Sequence, residues 1–387
     1  MAESIDKIQK NLEIRKKSKK RNIYMLKGKI AENGYDWWWH SFIGINEMTG
    51  DHRPFFIEYF IINPALGGEE IVLGQKKENK ERNNKPTYGM IKCGSWGAKN
   101  AVQIHNYYPI NAVEASTKEM KVNIGSNIAN EKELIGSAFC SPEDAKNKPE
   151  LMSDAGEMSW DLRLEKKLTY NVGYGAGSKM RKLNAFQMYW HVQGQFTHYS
   201  GKVIYNGQTY SVEPETSFGY QDKNWGTDYT NPWIWLNCNN FKGQNSQEEL
   251  PLTSLNVGGG RPVMFGKAFQ KKFLIAFFYK GKLYEYNFSK FWKRTKQNFD
   301  CRETETHILW DIIAWDLNSK VEIHFQCPKD YMLLFNYENP KGEKNHTRLW
   351  NGGHASGIVK FYKKINGEYQ LIESLEGSMG GCEYGEY

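Results

Sequence analysis

The apolar positions of this chain alternate or run in short blocks, and turn residues interrupt them far more often than helical spacing links them. Residues 35–44, which contain three consecutive tryptophans, and residues 54–62 flank Thr49-Gly50-Asp51, and this predicts an antiparallel pair. Residues 202–205 and 208–212 flank Asn206-Gly207, residues 273–279 and 283–288 flank Lys280-Gly281, and residues 359–365 and 368–372 flank Asn366-Gly367. Asn-Gly is a strong hairpin signal because both residues accept the left-handed geometry of a type I′ turn. Residues 307–315 and 321–327 add another pair. Trp233-Ile234-Trp235-Leu236 is aromatic and β-prone on both parities, as a strand buried on both faces would be. Helical periodicity is confined to Ile5, Ile8 and Leu12. Residues 76–85 read as a solvent loop and residues 128–156 as a long excursion with one helical turn. The expected fold class is all-β, with antiparallel strands in up-and-down barrels or strongly curved sandwiches behind a short N-terminal helix or tail.

Composition changes how such a fold fills its interior. Aromatic residues make up 14% of the 387, with 13 Trp, 23 Tyr and 20 Phe, while the hydrophobic share is only 40%. Mean hydropathy is −0.70. Rings therefore supply buried area that aliphatic side chains supply elsewhere, which suits sheet cavities lined by aromatic faces. The length allows two domains with ordinary cores.

Charge narrows the partners. The formal net charge is +7, but the first 24 residues carry eight Lys or Arg against three acids, so the remaining body carries only +2. A body of that balance is not expected to bind nucleic acid. The basic tail reads as a solvated start, with peripheral contact to anionic lipid as its other use. Six cysteines, at 93, 140, 238, 301, 327 and 382, form no C-x-x-C pair, and no long apolar run is present. Free thiols in a reducing cytoplasm are expected. Oligomeric state is not legible.

Common catalytic signatures are missing. Gly173-Tyr174-Gly175-Ala176-Gly177-Ser178-Lys179 imitates a phosphate loop with the wrong spacing and no β-α-β context, and reads as a mobile loop. No G-x-S-x-G occurs. His191 and His198, seven apart on one predicted strand, face opposite ways and cannot readily share a metal, so no metal is expected. His40 and His191 each follow an aromatic run, as core histidines or as catalytic groups. Asp222-Lys223-Asn224-Trp225-Gly226 has the composition of a tight turn, and it also sets an acid beside Trp225, Trp233 and Trp235.

That last stretch carries a resemblance. Tyr220-Gln221-Asp222-Lys223-Asn224-Trp225-Gly226, followed by Pro232-Trp233-Ile234-Trp235-Leu236-Asn237-Cys238-Asn239, is similar to the signature of the tocopherol cyclase family, whose first part reads approximately Y-x-[ED]-K-N-W-G. Residues 201–210, 252–260, 281–286 and 373–381 agree in order, and the likeness spans most of 160–387 and more loosely 35–110. The chain departs from the plant pattern where Trp37-Trp38-Trp39-His40-Ser41-Phe42 replaces E-G-W-Y-F and where Asn237 stands for a glutamine.

The resemblance implies two lipocalin-like β-barrels, placed at 25–215 and 216–387 behind a tail at 1–24, and no cofactor. It implies protonation of a C=C bond in a prenyl, polyene or prenylated aromatic substrate, followed by ring closure or hydration. Asp222 falls on the acid position. Tyr220 would orient it, His40 and His191 are further catalytic candidates, and Trp37, Trp39, Trp190, Asn224, Trp225, Trp233 and Trp235 would line the substrate pocket. Lys223 is expected to point outward, since a nearby ammonium lowers an acid's pKa. A non-catalytic carrier for a hydrophobic ligand is the competing expectation.

Overall fold

A computed structural model describes residues 18–172, 178–344 and 348–386. It is nearly all-β, and the expected pair of lipocalin-like units is present as one closed barrel and one half-barrel. The candidate helix around Ile5, Ile8 and Leu12 lies outside the described residues, as do residues 173–177 of the glycine-rich loop; Ser178–Lys182 is a short helix.

The first sheet has twelve strands. At its centre Tyr35–Asn46 pairs with His52–Ile62 along nearly its whole length. Its other edge is shared by two shorter strands, Gly219–Gly226 beside residues 35–41 and Gln208–Val212 beside residues 45–46. Both also pair with Met188–Tyr205, so together they act as one broken strand between two long ones. The sheet continues one way through Tyr88–Ser95 to Val102–Tyr108, and the other way through Gly156–Tyr170 to Glu133–Cys140. Where these ends meet, a side chain replaces the backbone ladder: Asn106 Nδ2 donates to Phe139 O at 2.7 Å and Asn106 Oδ1 accepts from Phe139 N at 3.0 Å.

The second sheet, of eleven strands, begins at Trp233–Cys238, which pairs with Ser254–Gly260 and Glu368–Gly385. It uses the same device. Gln297 Oε1 accepts from Phe273 N at 3.0 Å and its Nε2 donates to Phe273 O at 2.6 Å. An amide side chain can substitute for one peptide unit of a ladder, because it offers one acceptor and a donor at matching separation.

The hairpin turns have the expected backbone. Asn206, Lys280 and Asn366 and the glycines after them all lie at φ between 47° and 90°. Three expectations are corrected. The Asp222 stretch is no turn but strand Gly219–Gly226, every residue of which is buried. Residues 128–156 hold strand Glu133–Cys140 and helix Pro142–Asn147, capped by Ser141 Oγ on Asp144 N at 3.0 Å, rather than a long excursion. Within 76–85, Lys77–Glu81 forms a short exposed helix.

Each sheet encloses a core of its own. A third cluster lies between them, built from Trp39, Phe56, Trp96, Trp190 and Tyr220 of the first and Trp235, Ala276, Phe278, Phe335 and Leu349 of the second. Strand alternation makes this possible: one parity of each central strand fills its own unit and the other parity packs against the neighbour.

Candidate active site

On the strand Gly219–Gly226, Tyr220, Asp222 and Asn224 share the face turned to the second sheet. Asp222 pairs with Trp39, Trp39 with Glu58, Glu58 with Lys92, and Lys92 with His105. One rung thus crosses five strands on one face and places two carboxylates and an ammonium around an indole. All four side chains from Asp222 to Lys92 are buried.

The carboxyl of Asp222 is held by one oxygen. Its Oδ2 accepts from Trp190 Nε1 at 2.7 Å and from Tyr220 OH at 2.9 Å. Its Oδ1 is buried and has no partner among the described residues. Burial raises the pKa to about 7; the two hydrogen bonds hold it back, and the charges of Glu383 and Glu58 push it further. Glu58 mirrors this arrangement. Its Oε2 accepts from Tyr337 OH at 2.7 Å, its Oε1 has no partner among the described residues, and burial raises it to about 7 against the pull of Lys92. Between them, Trp39 Nε1 is also buried without a partner among the described residues.

Lys92 Nζ lies 3.8 Å from the centre of the Phe335 ring and 3.6 Å from that of Tyr337, and donates to Asn336 O at 3.3 Å. Burial lowers its pKa to about 7, while Glu58 and Glu383 work to keep it charged. Glu383 enters from the second sheet, accepting from Trp233 Nε1 at 2.8 Å and Asn351 Nδ2 at 2.6 Å, and burial raises its pKa as well.

Lys223 corrects an expectation. It points inward, fully buried, and forms an ion pair with Asp36 while its Nζ sits 3.6 Å from the Trp38 ring centre. Strand parity resolves the conflict that motivated the expectation, because Lys223 faces the interior of the first unit and Asp222 the opposite side. His40 and His191 are on that interior side too. His40 Nδ1 meets Tyr199 OH at 2.9 Å and its Nε2 meets Gln221 at 3.3 Å, and burial lowers it to about 3, leaving it neutral. His191 Nε2 meets Ser18 Oγ at 3.1 Å. Trp225 stacks on Tyr189 at 5.3 Å, also away from Asp222. The N-terminal segment covers this interior: Trp38 Nε1 donates to Asn22 O and Met25 N to Asp36 Oδ2.

Of the remaining residues singled out in the sequence, the structure gathers Asp222, Tyr220, Trp39, Trp190 and Trp235, the last with its ring 5.0 Å from Tyr220 and 6.4 Å from Trp39. Trp233 stands edge-on to Trp190 at 6.0 Å. Trp37 and Asn224 occupy the next rung, where Trp37 stacks on Tyr337 at 5.4 Å and Asn224 accepts from Tyr35 OH at 3.2 Å. Glu58, Lys92, Glu383 and Tyr337 were not anticipated. Glu58 and Lys92 do leave a trace, each being the lone charge inside a buried apolar run.

A mainly apolar cleft of about 120 Å³ reaches this site from outside, lined by Val172, Phe186, Met188, Trp190, Trp233, Leu274 and Phe288 among others. It stops at Trp190, whose indole separates it from Asp222. Gly258 makes room for that ring, since a Cβ there would lie 2.4 Å from Trp190 Cη2.

The family model for tocopherol cyclase-like proteins matches residues 73–386. The chain belongs to the tocopherol cyclase-like family. A chloroplastic tocopherol cyclase of Zea mays is 29% identical over 101 residues, 26% of this chain and 20% of that protein. A chloroplastic probable tocopherol cyclase of Oryza sativa subsp. japonica is 33% identical over 87 residues, 22% of this chain and 17% of that protein. The chain thus spans about a fifth of the length of the curated relatives it matches. Among solved structures, CghA with Sch210972 aligns at a TM-score of 0.43 and 11% identity, covering 92% of this chain and 89% of its own. Kievitone hydratase from Nectria haematococca aligns at 0.42 and 10%, covering 95% of each.

Proposed function

We propose that this family member is a cofactor-independent cyclase or hydratase that adds a proton from Asp222 to a C=C bond of a prenyl, polyene or prenylated aromatic compound. The observation that carries the reading is the unpartnered, buried Oδ1 of Asp222 beside an Oδ2 fixed by Trp190 and Tyr220. An acid with a pKa of about 7 keeps a substantial protonated fraction near neutrality, and one free oxygen gives that proton a direction.

In the reaction the alkene π pair takes the proton from Oδ1, and the more substituted carbon becomes a cation. The rings of Trp39 and Trp235, which pack with Tyr220 in the same cluster, would stabilise it, by ~0.5–2 kcal/mol per ring where water is excluded. A phenol or water oxygen then bonds to that carbon and must lose its proton. Glu58 fits as the acceptor, because the Lys92 ammonium favours its ionised form whereas no cation among the described residues lies against Asp222. Protonation of Glu58 and ionisation of Asp222 balance the step, and exchange with solvent resets both. The cleft, which ends at the Trp190 indole beside Asp222, suits the apolar remainder of the substrate. A carrier would have no use for two opposed carboxyls each with a free oxygen.

The test is Asp222→Asn supplied with prenylated quinols and polyenes in deuterated water. Wild-type product should carry deuterium at the protonated carbon and the variant should lose turnover by about 10²-fold or more. Undiminished turnover, or product without deuterium at carbon, removes Asp222 from this role.

A further inference from the structure

Three segments rim the outer mouth of the apolar cleft. The stretch from helix Ser178–Lys182 to Met188 contributes Phe186 to the lining, residues 261–272 contribute Pro262 and Lys272, and residues 288–298 contribute Phe288 and Ser289. Backbone contacts bind the first two: Phe265 N donates to Ala185 O at 2.8 Å, and Phe186 bridges Met264.

Their outer sides carry large apolar groups that the fold leaves in solvent. Leu183 is 63% exposed, Phe265 61%, Phe269 47% and Trp292 51%. Phe265 and Gly266 form the tip of a small hairpin, Val263–Met264 with Lys267–Ala268, where Phe265 takes a positive φ of 48°. A bulky apolar residue in that conformation at an exposed tip gains nothing for folding.

Charge runs the same way. Residues 178–189, 261–272 and 288–298 together hold eleven Lys or Arg and no Asp or Glu, whereas the whole chain carries only +7, so everything outside these segments sums to −4. Lys290 and Lys293 are engaged by the buried Glu285, at 2.7 Å and 3.2 Å. Exposed apolar tips on segments with an excess of basic residues are the two components of interfacial membrane binding: the rings enter the acyl boundary and the cations meet lipid phosphates.

We propose that this rim docks on an anionic lipid bilayer, with the cleft mouth facing the membrane so that a lipid-soluble substrate enters without crossing water. The delivery role rests on the function proposed above; the docking does not. A nucleic acid would be drawn by the same charge, but its binding would not depend on rings at a hairpin tip entering an apolar phase.

Sedimentation of the full-length protein with vesicles tests the proposal, using phosphatidylcholine alone or with about one third phosphatidylserine. Binding is expected to the anionic vesicles only and to weaken with salt. Phe265→Asn with Phe269→Ser, and separately Arg261→Glu with Lys267→Glu, should each weaken it about tenfold or more. None of these four residues lines the cleft, so turnover of a short, soluble substrate should be unchanged. No binding overturns the proposal. Undiminished binding by both variants assigns the contact to basic residues 1–24 and overturns it equally. Sensitivity to the charge pair alone, matched by binding to single-stranded RNA, means a polyanion surface and not a membrane site. Loss of turnover in Asp222→Asn leaves vesicle binding unaffected, so failure of either reading is seen separately.

Discussion

Asp222 and Glu58 flank the same tryptophan, are both buried, and are both raised to about 7, yet the roles proposed for them require opposite protonation states. Asp222 must be protonated, and that form is lost as pH rises through about 7. Glu58 must be ionised, and that form is lost as pH falls through about 7. The product of the two fractions is a narrow bell centred near neutrality, with apparent pKa values that belong to the pair. Initial rates of the wild-type protein between pH 5 and 9 should trace it, the range being about two units either side of the shared value. A sigmoid with one limb would mean that only one carboxyl titrates in catalysis. Asp222 could be singled out in the sequence because the family resemblance puts an acid at that position amid indoles. Its partners could not, because a lone glutamate in Phe-Phe-Ile-Glu-Tyr-Phe-Ile-Ile or a lone lysine in Tyr-Gly-Met-Ile-Lys-Cys reveals its neighbour only once strand register is known.

The strand that carries the acid shows why local chemistry misled. Asp, Lys and Asn in a row with a glycine two residues on favour a turn in isolation. Here the segment is flanked on both sides, by Tyr35–Asn46 and by Met188–Tyr205, and two ladders outweigh a turn propensity. Hairpins closed by Asn-Gly or Lys-Gly were legible because no long-range partner competes for a two-residue loop. The same close fit explains Gly258, on a strand of the second sheet, against which Trp190 of the first is pressed. Gly258→Ala must displace that indole, and with it the donor that fixes Asp222 Oδ2. Overpacking of this kind costs about 1–3 kcal/mol. The variant should unfold at correspondingly lower urea while keeping its far-ultraviolet spectrum, and should lose turnover beyond what its folded fraction explains. Full turnover would mean that the Trp190 bond to Asp222 is dispensable.

At the scale of the molecule, composition and turn punctuation were enough for an all-β chain and the family resemblance for two barrel-like units, but neither showed where the units meet. The strand Gly219–Gly226 is the last of the first sheet, so the chain passes between units in residues 227–232 and the acid belongs to the first. Its surroundings belong to both, since Trp235, Phe335 and Glu383 come from the second. A site assembled this way makes a distinction between cores testable. Trp235→Ala removes a ring from the inter-sheet cluster, where it packs on Tyr220 and Trp39, and a large-to-small change there costs about 3–5 kcal/mol. Ile312→Val trims the second unit's own core, at about 0.5–1.5 kcal/mol. Under conditions where both remain folded by circular dichroism, the first should lose turnover and shift the alkaline limb of the pH profile, because a cavity beside Tyr220 admits water to Asp222 and draws its pKa down. The second should leave both unchanged. If turnover followed stability alone across the two variants, the inter-sheet cluster would be a packing interface and the reaction would have to be sought elsewhere in the molecule.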